Sequence, residues 1–275
     1  GVRQHGAADQ RSTHFQGDCV NRKGNVLLGF GGITAIWIIA ALVLPDRVLP
    51  GPAETFIRMI ALIGDGMLLH LGASVLRLTV AVAGAVGLGV PIGLVMGLHP
   101  KLDRVLSPIA YVFYPIPKIA LLPVFMLLLG IGNAAKITLV ITIIIFQLLL
   151  AARDGVRELP DDILLAARSL DLPLRMYYLD VVIPAVLPRL FTALRLCVGI
   201  SFSVIFFSES FATRYGVGYF IMNAWAQVLY VDMYSGILAL SITGFLVFKG
   251  IDLLQKVSCP WLSPPAANYQ NLSWR

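Results

Sequence analysis

Residues 160–188 read PDDILLAARSLDLPLRMYYLDVVIPAVLP, a charge-bearing segment inside an otherwise apolar chain. Its spacing is Leu165-Ala166-Ala167, three residues, Asp171, nine residues, Val181, then Ile183-Pro184. Asp161 and Asp162 follow Pro160 and suit the first turn of a helix, where unsatisfied N–H groups and the positive dipole end favour negative charge. Ile163, Leu164, Leu165, Ala166, Ala167 and Leu170 continue that helix with small and apolar side chains. Asp171-Leu172-Pro173 ends it and opens a second helix, with Asp171 as cap and proline tolerated in the first turn. Pro184 and Pro188 are expected to bend the chain where the next apolar stretch begins. A short apolar helix outside a bilayer has to bury its face: on its own membrane domain, at the lipid interface, or on a partner.

Outward from this segment the chain is greasy. Of its 275 residues 58% are hydrophobic and 13% charged, with mean hydropathy +0.83. A soluble domain carries roughly 25% charged residues, so a single soluble core is excluded and a bilayer is the natural solvent. Charge-free runs extend from Gly24 to Pro45, Leu78 to Pro100, Ile119 to Ala135, Ile137 to Ala152, Leu196 to Ser208, Tyr215 to Val231 and Met233 to Phe248. A spanning helix needs about 20 apolar residues.

We expect six spans: Val26–Leu44 (ended by Pro45), Ser74–Leu98, Val105–Leu129, Ala134–Ala152, Leu187–Phe211 and Tyr234–Leu254. An amphipathic helix is expected over Pro52–Leu69, and a short one between the last two spans carrying Tyr219, Met222, Asn223, Trp225 and Gln227. The second span is rich in glycine, which lets helices approach closely where lipid gives no hydrophobic drive. The third is interrupted by Pro115, Pro117 and Pro123. Residues 1–23 read as a cytoplasmic arm without a cleavable signal, 24–256 as the membrane domain and 257–275 as a cytoplasmic tail.

The net charge of +6 is read as lysine and arginine at the cytoplasmic face, not as a nucleic-acid footprint. With the N-terminus inside, Arg22, Lys23, Lys101, Arg104, Arg153, Arg157, Arg168, Arg175, Arg189, Lys249 and Lys256 fall inside, against Arg47, Arg58, Lys136 and Arg214 outside. Both termini and the 153–189 segment are therefore expected in the cytoplasm. Cys19, Cys197 and Cys259 have no metal-like spacing and read as isolated thiols.

The spacing within 160–188 resembles the EAA loop of the membrane subunits of binding-protein-dependent ABC importers: Glu-Ala-Ala, three residues, Gly, nine residues, Ile, one residue, Leu-Pro. Here Leu165 takes the glutamate place and Asp171 the glycine place; aspartate is among the few residues that visit left-handed geometry. Val181 and Ile183 are conservative, and Pro184 matches. The resemblance extends over about residues 70–256. Ser74-Val75-Leu76-Arg77, Ile116-Pro117-Lys118 through Pro123, Leu129-Gly130-Ile131-Gly132-Asn133 with Lys136, and Gly216-Val217-Gly218-Tyr219 resemble the nitrate, sulfonate and taurine branch.

The resemblance implies an all-α type I importer permease fold in a bacterial inner membrane. It implies a second permease subunit, in a homodimer, around a central pathway. It implies cytoplasmic ATPase subunits that hold ATP and Mg and dock on Leu164, Leu165, Ala166, Ala167, Leu170, Asp171 and Leu172, with Pro184 closing the loop. It also implies a periplasmic or lipid-anchored solute-binding protein, near which the Tyr219–Gln227 region would lie; the aromatics alone read as an interfacial belt.

Three ionisable groups fall inside or at the ends of spans, where they are expensive. Arg77 reads as snorkelling to headgroups or as a functional charge. Glu209 reads as a partner in a structural ion pair or as a pathway group. Lys118, in the proline-broken span, reads as a backbone-capping group or as lining a cavity with Pro115, Pro117, Ser201, Ser208 and Glu209; a lysine there favours an anionic solute. The sequence has no GxxxxGK[ST] loop, HExxH or GxSxG, so covalent chemistry and ATP hydrolysis are expected elsewhere. An ion-coupled secondary transporter acting without an ATPase is the alternative. It needs intramembrane carboxylates, of which Glu209 alone is offered, and no internal repeat is evident.

Overall fold

The computed structural model describes residues 22–44, 48–160, 162, 165, 169–170 and 172–262. Every described element is helical. In chain order they are α1 (Arg22–Val43), α2 (Pro52–Leu62), α3 (Leu68–Leu98), α4 (Pro100–Phe113), α5 (Leu122–Leu129), α6 (Asn133–Arg157), α7 (Ile183–Glu209), α8 (Val217–Ala226) and α9 (Tyr230–Ser258).

Among the described residues, four helical stretches, built on α3, α6, α7 and α9, are long and apolar enough to cross a membrane, or five if α4 and α5 are one broken span. The α4–α5 pair bends by 82° where Pro115 and Pro117 interrupt the backbone ladder, so the third expected span is not straight. In α1 the described apolar part is Gly31–Val43. The expected helix over Pro52–Leu69 stops earlier, at a break at Asp65 and Gly66. Gly66 has φ +96°, a conformation glycine adopts without steric cost. Pro184 and Pro188, expected to bend the chain at the start of the fifth span, lie inside a helical stretch. Both lie within the continuous stretch Tyr177–Glu209, preceded by the wide π-helical turn Tyr177–Val182, a turn type that re-accommodates backbone groups near prolines.

The centre of the fold is the contact between α3 and α6. Gly89, Gly93 and Gly97 recur at one-turn spacing along α3. A Cβ on Gly89 would lie 2.9 Å from the Ile145 carbonyl oxygen, and one on Gly93 would run into the Leu149 carbonyl and come 2.8 Å from the Ala152 Cβ. One on Gly97 would lie 2.6 Å from the Val156 Cβ. The backbones therefore meet directly, the arrangement that lets dispersion forces hold helices together in lipid.

Leu78, Ala81, Ala85, Leu139, Ile144, Leu148 and Val198 form the main core, joining α7 to this pair. A second cluster, Leu94, Ala152, Val156, Val182 and Val186, closes the end of the bundle nearest residue 160, the loop end. Gly155 admits Val186 there, since a Cβ would sit 2.5 Å from its Cγ1. At the opposite end, Met59, Leu62, Met67 and Ala239 fasten α2 to α9, reinforced by the Arg58–Asp232 pair at 2.6 Å.

Substituting Gly93→Leu should separate α3 from α6 and cost about 1–3 kcal/mol or more, read as a lowered melting temperature of the detergent-solubilised protein. Gly87→Ala, where nothing lies within 4 Å of the added Cβ, should leave it unchanged.

Candidate functional site

The most concentrated polar chemistry lies at the end opposite the loop. Glu209, at the C-terminus of α7, is 1% exposed, and Arg77 on α3 is 5% exposed. They form a buried ion pair. The Ser74 hydroxyl donates to the same carboxylate at 2.8 Å, and the Gly218 N–H donates to it at 3.0 Å. Arg77 Nε donates to Asn133 Oδ1 at 2.8 Å and Nη1 to the Tyr215 carbonyl at 2.8 Å. Lys136, 1% exposed, feels the field of both Arg77 and Glu209. The cluster thus sets two cations against one carboxylate, a balance tolerable only because hydrogen bonds saturate the pair.

Helix α8 starts inside this cluster. Its N-cap, Gly216, offers no side-chain hydrogen bond. The Val217 N–H instead donates to Ser74 Oγ at 2.9 Å and the Gly218 N–H to Glu209, so α8 is capped by residues of α3 and α7. The anionic carboxylate also suits the positive end of the helix dipole. Gly216 is required twice over: its φ is +146°, and a Cβ would collide with the Glu209 carboxylate. Its N–H donates to His70 Nδ1 at 3.1 Å.

A second group of residues surrounds the bend between α4 and α5. Pro115-Ile116-Pro117 leads into the short 3₁₀ turn Lys118–Leu121. Lys118 is 7% exposed; its ammonium donates to the Tyr114 carbonyl at 3.1 Å and lies 5.5 Å from the centre of the Phe146 ring. A backbone carbonyl freed by the bend is thus capped, and the cation is held between aromatic faces. Pro115 and Pro117 lie on the exposed side of the bend.

Lys118 and Glu209 do not form one cluster. Ser201 and Ser208 are fully buried and donate to carbonyls of their own helix, those of Cys197 at 2.7 Å and Ile205 at 3.0 Å. Arg77 does not snorkel outward; it turns into the protein. Of the group expected around a pathway, Lys118 and the two prolines share one place, while Glu209 and the serines lie along the buried side of α7.

At the loop end, Asp103 on α4 pairs with Arg157 and accepts from Ser107 at 2.6 Å. Arg153 donates to Ser107 at 2.6 Å and to the Tyr111 hydroxyl at 3.0 Å. Sequence reading did not single out this cluster; the periodic placement of Asp103, Ser107 and Tyr111, one turn apart on α4, was the available signal. Leu164, Ala166, Ala167 and Asp171 lie outside the described residues. Around them Leu165 and Leu170 are exposed, at 57% and 71%. Leu172 and Pro184 are half-buried.

This architecture, a bundle whose spans are broken and packed through glycine, with buried charges at both ends, is that of an importer permease. Residues 89–263 match the family described as binding-protein-dependent transport system inner membrane component, and the chain belongs to that family. It is 31% identical to the taurine transport system permease protein TauC of Escherichia coli, over 83% of this chain and 86% of that protein. It is 28% identical to the aliphatic sulfonates transport permease protein SsuC of Bacillus subtilis, over 83% and 84%. It is 26% identical to the nitrate import permease protein NrtB of Synechococcus elongatus, over 78% and 84%. Among solved structures, a chain of the MetNI methionine ABC transporter shares the fold with TM-score 0.61 at 20% identity, covering 70% of this chain and 96% of that one. The protein is a membrane permease subunit of an ABC importer, of the nitrate, sulfonate and taurine branch.

Replacing Glu209 by Gln leaves Arg77 and Lys136 buried without a counter-charge and should cost about 3–5 kcal/mol, seen as a large fall in melting temperature. Adding Arg77→Met to that variant should recover part of the loss, the mark of a coupled pair.

Proposed function

We propose that two copies of this chain enclose a pathway for a small anion, of the nitrate, sulfonate or taurine kind, and that ATP drives its import. The observation that carries the anion reading is Lys118: a cation held where a span is broken by 82°, beside aromatic rings and freed backbone. Broken backbone in a membrane belongs where it lines protein or water, and a fixed cation there favours negative solutes. The solutes in the relatives' names, taurine, aliphatic sulfonates and nitrate, each carry a negatively charged sulfonate or nitrate group.

In this reading the 153–189 segment and both termini face the cytoplasm. Two ATPase subunits, which bind ATP and Mg, dock on Leu164–Leu172. The exposed Leu165 and Leu170 supply an apolar face for such a partner. A periplasmic or lipid-anchored binding protein delivers the solute on the side of the Arg77–Glu209 cluster. ATP binding draws the ATPases together, moves the docked segments, and rocks the two membrane halves between outward and inward access.

Two experiments test this in the complex purified with its ATPase and reconstituted in liposomes with its binding protein. Ala167→Asp should abolish uptake while ATP hydrolysis continues; normal uptake removes the docking role. Lys118→Met should lower anion uptake about tenfold, the effect of roughly 1.4 kcal/mol, and Lys118→Glu should lower it further. Equal uptake by all three proteins removes Lys118 from the path.

A further inference from the structure

Between α4, α6 and α7 lies a pocket of about 510 Å³, lined on its polar side by Tyr111, Tyr114, Gln147 and Asp154. A larger cavity of about 590 Å³ between α3 and α7 is lined almost wholly by aliphatic side chains, with Tyr178 as its one polar group. It offers nothing to a charged solute. The smaller pocket does. Its polar groups cannot face hydrocarbon without leaving donors unsatisfied, so its mouth opens on water or on a partner. It also adjoins the bend: Tyr114 forms part of its wall, and the Lys118 ammonium lies 5.9 Å from the centre of that ring.

The polarity of the lining has a sign. The Gln147 side-chain oxygen already accepts from the Cys197 thiol at 3.3 Å, which leaves its NH₂ to donate. The Tyr111 oxygen already accepts from Arg153, which leaves its O–H to donate. The one carboxylate, Asp154, is engaged by Arg153 at 2.6 Å. Each acceptor in the lining is thus engaged by a neighbour, while the Gln147 NH₂ and the Tyr111 O–H are left to donate.

We propose that this pocket is an oxyanion-binding station on the solute path, with the Gln147 amide and the Tyr111 hydroxyl as its donors and Lys118 as the cation at its edge. It takes a small sulfonate, nitrate or carboxylate group. The proposal rests on the anion-import reading and adds the residues that discriminate among solutes. Hydrogen bonds from these donors strengthen with the solute's charge, while single, exchangeable contacts keep occupancy brief, as transport requires.

The test uses the full transporter complex in liposomes with labelled taurine, methanesulfonate, nitrate and bicarbonate as probes. Gln147→Glu keeps the size of the side chain and the acceptor for Cys197, and replaces the donor by a negative charge. Co-purification with the ATPase and an unchanged elution profile separate loss of structure from loss of binding in that variant. The expected result is normal co-purification with the ATPase and uptake of the transported anion reduced at least about tenfold, with Gln147→Met intermediate. Tyr111→Phe, which removes only the hydroxyl, should raise the half-saturating solute concentration several-fold and decides the matter if Gln147→Glu does not assemble. Unchanged uptake by both Gln147→Glu and Tyr111→Phe, in a complex whose wild type moves one of the anions, overturns the pocket and leaves the anion reading standing. A wild-type complex that moves none of the four overturns both.

Discussion

Two backbones in contact, α3 against α6, set the geometry of everything else. Because no side chain intervenes at Gly89, Gly93 and Gly97, the pair has one register and one separation. A sliding of one helix against the other would drive carbonyls into carbonyls. In lipid, where apolar burial gives no net drive, such surface matching replaces the hydrophobic core of a soluble protein. α7 packs on this pair through Leu139, Ile144 and Val198, and the remaining helices attach to these three.

Charge fixes the two ends of the assembly differently. At the end away from the loop, the Arg77–Glu209 pair joins α3, α6, α7 and α8 through Asn133 and Gly218, and it is sealed from solvent. At the loop end, Arg153 and Asp103 join α4 to α6, with Arg157 and Asp154 reaching partly exposed positions. A sealed pair in low dielectric resists separation more than one in contact with water. The end carrying Glu209 is therefore the better sealed of the two, since Arg157 and Asp154 at the loop end reach solvent.

Much of this was legible in the sequence. The helical class, the glycine-rich span, the proline break and the importer permease family all followed from composition and from motifs in order. Ser74 and Arg77, Asn133 and Lys136, and Gly216 and Gly218 carry the family resemblance, yet nothing in the linear order says that they gather around the Arg77–Glu209 pair. That convergence is a long-range fact: Ser74 and Glu209 are 135 positions apart. The wide turn Tyr177–Val182 ahead of Pro184 was not legible either, since local rules assign no π-helical turn to this stretch. Arg77 was read from its depth alone, which favours snorkelling; a carboxylate on a distant helix decided otherwise. Gln147 gave no signal, since a lone amide in an apolar run has no periodic or motif context.

The borrowed cap of α8 bears on how the protein is made. A helix of ten residues is too short to be stable alone in water and too short to cross a bilayer. Without a cap of its own, Val217–Ala226 gains its first-turn partners only after α3 and α7 are side by side. Yet α3 leaves the ribosome long before Glu209 is synthesised, and α8 emerges directly behind it. The segment therefore waits uncoiled, or at the membrane surface, until the earlier spans have found each other. Completion of α8 is then a late step in assembly: it requires that α3 and α7 have paired, and it buries Val217, Ile221 and Ala224 while Trp225 stays exposed.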